Sequence, residues 1–128
     1  MGQAVTDAPS ADFAQRGPEE IARFLDGKAQ ELAQLQTNLE KAHNDAEAAE
    51  ITWIEHYDSV MKKLEGKGEK LPGEDKCVGR ARRDGGWEAW STWRRAERRV
   101  KKLEKLATLI DNQISACQSE AKLLRAVA

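Results

Sequence analysis

A chain of 128 residues has room for one domain, and 34% charged residues with a mean hydropathy of -0.73 suit an extended helical build better than a tight globule. No apolar run approaches the roughly 20 residues of a membrane span, and the N-terminal MGQAVTDAPSADFAQRGPEE lacks a basic segment followed by an apolar one, so neither a span nor a secretion leader is expected. The formal net charge of -1 conceals an asymmetry, net -7 over residues 1–65 and net +6 over 66–128, so the halves should attract each other or different partners.

In chain order, residues 1–17 are small and polar without a sustained period, which predicts a flexible tail. Gly17-Pro18-Glu19-Glu20 reads as a helix start, with Pro in the first turn and two carboxylates at the positive end of the helix dipole. From there Leu25, Leu32, Leu39, Ala46, Trp53 and Val60 recur every seven residues, interleaved with Ile21, Lys28, Leu35, Ala42, Ala49 and His56. This spacing predicts a first helix over 18–65 with a coiled-coil stripe. The stripe has polar interruptions at Lys28 and His56 and drifts toward Tyr57 and Leu64, as a period of about 3.6 requires.

Residues 66–86, GKGEKLPGEDKCVGRARRDGG, hold six glycines and a Pro and predict a breaker-rich connection. A second helix is expected over 87–127, capped by Asp84 or a glycine. Its stripe of Ala89, Trp93, Ala96, Val100, Leu103, Ala107, Ile110, Ile114, Cys117, Ala121 and Leu124 alternates steps of four and three with no polar interruption. Two helices of about 60 to 70 Å each, at 1.5 Å per residue, predict an all-α fold with the pair antiparallel as a helical hairpin. In that register Trp53 lies near Trp93 and Ala96, Ala42 near Ala107, and Leu25 near Leu124. Such a hairpin leaves Leu106, Leu109, Leu123, Ile54 and Trp90 poorly covered, so a homo-oligomer, a four-helix bundle or larger, or a docked protein partner is expected. Trp53, Trp87, Trp90, Trp93, Leu106 and Leu109 are the candidate contacts.

Basic side chains concentrate in the second half. Arg80, Arg82 and Arg83 in the connection precede Arg94, Arg95, Arg98, Arg99, Lys101, Lys102 and Lys105 on the outer positions of the second helix. They suit phosphates, through counterion release, or an acidic protein partner. Glu97, Glu104 and Asp111 interrupt this face, and the acidic first helix should run beside it, which favours pairing with that helix over nucleic acid. Trp87, Trp90 and Trp93 lie three apart, better suited to closing the loop end of the hairpin or anchoring an interface than to stacking on bases.

Catalytic and metal-binding patterns are missing from the sequence. His43 and His56 are 13 apart with no Cys or second His at ligand spacing, Cys77 and Cys117 form no CxxC pair, and GKGEKLPG lacks the GK[ST] ending of a phosphate loop. The expectation is no enzyme activity, no cofactor, no metal, no small-molecule substrate and no membrane partner, in a reducing cytoplasm.

The segment DAEAAEITWIEHY, the short glycine-rich connection and the closing WRRAERRVKKLEKLATLIDNQISACQSEAKLLRA together resemble small helical-hairpin proteins of bacteriophage and prophage genomes, over about residues 30–128. IDNQISACQSEAKLLR is the most distinctive part. The resemblance implies a viral accessory protein in the host-cell cytoplasm, often encoded among replication and recombination genes, and assigns no residue a role. The expected function is a self-associating scaffold or adaptor. The alternatives are a nucleic-acid-binding accessory protein and a modulator of a host enzyme.

Overall fold

The structure, a computed structural model, describes residues 17–127; the N-terminal tail expected over 1–17 lies outside them except for Gly17. The fold is all-α, a helical hairpin. Helix α1 spans Pro18–Gly66, α2 spans Glu74–Ala81 and α3 spans Trp87–Val127.

The signals that start and stop α1 are local. Pro18 opens the helix with Glu19 and Glu20 in its first turn, and the Gly17 carbonyl accepts from the Glu20 and Ile21 N–H groups at 3.1 Å each. At the other end Gly68 takes φ 74°. Its N–H donates to Glu65 O at 3.0 Å while the Glu69 N–H donates to Leu64 O at 2.9 Å. These two crossed bonds form a Schellman stop, and the left-handed φ at its centre is where a side chain would be strained.

All twelve residues of the expected α1 stripe are buried or half-buried, and the drift onto Tyr57 and Leu64 is present. Lys28, the first polar interruption, keeps its stem in the stripe and its Nζ 3.0 Å from Glu31 and 5.5 Å from the Phe24 ring centroid. On α3 the stripe is buried or half-buried from Ala89 to Ala121, whereas Leu124 is exposed.

The chain divides into two compact units. In the first, residues 17–38 and 103–127 of the described chain, Ile21 and the fully buried Cys117 form a core joined by Phe24, Leu25 and Ala121. The expected neighbours Leu25 and Leu124 line one open groove with Pro18, Ile21, Ala22, Ala121 and Arg125. In the second, Leu39–Lys102, the core is Trp53, Val60, Leu64 and Ala81, with Tyr57, Met61, Leu71, Val78, Ala89, Trp90 and Trp93 packed around it. Trp53 and Trp93 therefore share a core, as the antiparallel register requires.

The connection is more structured than its glycines suggest. Helix α2 starts at Gly73, with φ 84°, and turns Val78 and Ala81 onto Trp53, Val60 and Leu64. After Ala81 the five residues Arg82–Gly86 carry the chain into α3 through a kink at Asp84 (φ -86°, ψ 51°) and Gly85 (φ 85°, ψ 6°). Among the described residues no helix is long and apolar enough to cross a membrane.

Candidate functional site

The kink that links α2 to α3 sits on α1 through His56. Its Nε2 lies 3.1 Å from Ala81 O, so the tautomer with the proton on Nε2 donates to a carbonyl at the end of α2, one of the groups a helix end leaves without a partner. Gly86 is buried against the same ring: a Cβ built there would stand 2.5 Å from His56 Cδ2, 2.8 Å from its Nε2, and closer still to the Ala81 carbonyl. The second polar interruption of the α1 stripe, His56, is thus the pin that fixes where α3 begins.

Two further contacts set the kink. Arg80 Nε donates to Asp84 Oδ2 at 2.9 Å and its NH1 to Glu69 Oε2 at 3.3 Å. The bond to Asp84 and its charge, with Glu69 adding to them, raise the Arg80 guanidinium above its ordinary range. Beside them burial, then the neighbouring Cys77 thiol, pushes the Tyr57 phenol up.

From this pin the aromatic residues diverge. Trp53 is only 6% exposed and belongs to the core, so it is not available to a partner as expected. Trp93 and Trp90 are half-buried against that core. Trp87 is 58% exposed and lies outside the core cluster. Its ring centroid is 5.4 Å from that of Trp90 at an interplanar angle of 31°. The Arg82 guanidinium carbon lies 4.4 Å from the Trp90 ring centroid and 5.4 Å from that of Trp87, a cation-π brace across both indoles. Arg82 Nε is buried with no hydrogen-bond partner among the described residues, so packing on the rings, and not hydrogen bonding, places this side chain.

Trp87 and Trp90 continue into a surface cleft with Glu88, Ser91, Arg94, Arg95 and Arg98. Arg94 donates to Glu97 at 2.7 Å and lies 5.4 Å over the Trp93 ring. Arg83, Arg95, Arg98, Arg99, Lys101 and Lys102 are exposed or nearly so and have no carboxylate within ion-pair distance among the described residues. Lys105, in the other unit, is also exposed. The expectation that α1 neutralises these cations is not met: the Arg94 pair is internal to α3, and Arg80 pairs within the connection. The physical reason is placement. Arg95, Arg98 and Lys102 occupy heptad positions on the side of α3 away from the seam formed by Ala89, Trp93, Ala96 and Val100, so these three cations and the first helix take opposite sides.

Leu106 (41% exposed), Leu109 (52%) and Leu123 (63%) stand outside the first unit's core. Among the described residues no group of three or more His, Cys, Asp or Glu is placed to hold a metal ion. Compared with known proteins, the chain matches no family model, no curated sequence and no solved structure.

Proposed function

We propose that the protein is a non-enzymatic helical adaptor that works by self-association, two copies pairing along the outer stripe of α3. The observation that carries this reading is a second row beside the seam. Leu106, Leu109, Gln113, Ala116, Glu120 and Leu123 follow one another at steps of three and four, the spacing by which a helix packs against another helix, and the three leucines are exposed. Pro18, Ile21, Leu25 and Leu124 line a separate apolar groove within the same unit. A second copy is the natural occupant, because a two-fold axis sets the same stripe against itself and hides both at once.

Partner proteins would then be held by the assembled bundle. Cys77 and Cys117 form no disulfide among the described residues, which suits a reducing cytoplasm, and the resemblance to phage hairpin proteins supports a host-cell setting. The test is the mass in solution by light scattering across a dilution series from millimolar to micromolar protein. The expected result is twice the chain mass of 14.3 kDa or a higher multiple, and a chain that stays monomeric throughout rules the proposal out.

A further inference from the structure

The aromatic and cationic cleft at the start of α3 takes no part in self-association through the leucine stripe, and its residues ask for a different ligand. We propose that it binds single-stranded nucleic acid, with an unpaired base stacked on Trp87 and the adjoining phosphates held by Arg94, Arg95 and Arg98. Three independent features point there. Trp87 holds most of its indole in solvent at 58% exposure, although the neighbouring core already accommodates Trp53, Trp90 and Trp93. Its ring is held in place, backed by Trp90 and braced by Arg82, so a stacking platform exists before any ligand arrives. Arg95 and Arg98, on the wall of the same cleft, have no carboxylate partner among the described residues, and Arg99 and Lys102 extend the positive charge one turn further.

A π-face beside unneutralised cations matches the two chemistries of a single strand, since a base offers a ring to stack and each phosphate offers a negative charge. An acidic peptide would use the arginines but has no need of a braced, exposed indole. A duplex keeps its bases stacked within itself and cannot present one to Trp87. Glu88 lines the cleft and Glu97 pairs with Arg94; they temper its charge without cancelling it, because among the described residues neither forms an ion pair with Arg95 or Arg98.

Four probes test this with the full chain: labelled oligothymidylate, oligouridylate, a mixed-sequence duplex and an oligoglutamate peptide. Fluorescence anisotropy gives the affinity, and tryptophan emission reports stacking. The expected result is binding of one or both single strands with quenched emission, weaker binding of the duplex and none of oligoglutamate. DNA and RNA sources are separated by which single strand binds tighter. Raising salt from about 50 to about 200 mM should weaken binding about tenfold for two to three phosphate contacts on a single strand. Trp87→Ala should lower affinity about tenfold while Trp87→Phe keeps most of it, and Arg95→Glu with Arg98→Glu should abolish it. The exposed pair Lys76→Glu and Lys122→Glu changes net charge equally and should cost far less. Circular dichroism on each variant controls for folding, and the wild-type quenching and probe comparison stand even if a variant fails to fold. No binding at micromolar protein overturns the proposal, as does duplex or oligoglutamate binding as tight as the single strands, indifference to Trp87→Ala, or equal loss in the Lys76/Lys122 control.

Discussion

At the residue scale the chain turns on His56, Ala81 and Gly86. His56 was legible only as a defect, a polar residue on an apolar stripe, because its partner is a backbone carbonyl 25 positions away, and heptad spacing says nothing about backbone acceptors. Gly86 read as one of several breakers, yet it differs from the others in being buried, with its α-hydrogens facing the His56 ring and the Ala81 carbonyl. Gly86→Ala should therefore cost about 3 kcal/mol, the upper end for overpacking, since the carbonyl it strikes is backbone and cannot turn aside. His56→Ala removes the partner of Ala81 O and should cost about 1 to 3 kcal/mol. Urea unfolding checks both. The double variant should lose less than the sum of the two, because the vacated ring space partly accommodates the new methyl. Additive losses would mean that His56 and Gly86 act separately.

At the scale of the element, the long helices were readable and the short one was not. The boundaries of α1 and α3 and their stripes come from local, repeated information: Pro and carboxylates at a start, glycine at a stop, an apolar side chain every three or four residues. Helix α2 has carboxylates at its start, Glu74 and Asp75, but is too short for a repeated apolar stripe. EDKCVGRA offers one buried apolar contact, Ala81, one half-buried, Val78, and a glycine, so its helicity depends on the surface that Trp53, Val60 and Leu64 present to it. The expected neutralisation of the basic face failed for a related reason, since summing charge over half a chain ignores which side of a helix each charge occupies. Trypsin resolves the point about the connection. Lys67 and Lys70 lie in the non-helical 67–73 segment and are exposed, whereas Arg80 is bonded to Asp84 and Glu69. Early cleavage should fall after Lys67 or Lys70, before Arg80 and before any α3 site. First cleavage after Arg80 or Arg82 would show that α2 does not hold in solution.

For the whole molecule the question is which apolar stripe closes the hairpin and which, under the proposed self-association, joins it to another copy. Ile110 is half-buried on the seam, while Leu106 and Leu109, one turn or less away on the same helix, are exposed. The two classes should respond differently to a polar substitution. Ile110→Asp places a charge on the half-buried apolar seam, so helicity itself should fall, with a loss of about 3 kcal/mol. Leu106→Gln with Leu109→Gln leaves the seam untouched, so far-ultraviolet dichroism should stay at the wild-type level. Its effect should appear in the mass instead. Each leucine hidden between copies contributes about 1.5 to 3 kcal/mol, and a two-fold axis counts each of the two substitutions twice, enough to raise the dissociation constant a thousandfold or more, at about 1.4 kcal/mol per tenfold. A folded monomer from the leucine pair and an unfolded chain from Ile110→Asp would assign the seam to the fold and the outer stripe to the assembly. If instead wild type is an oligomer and the leucine pair keeps its mass, the copies associate through another face, and the groove of Ile21, Leu25 and Leu124 becomes the next surface to change.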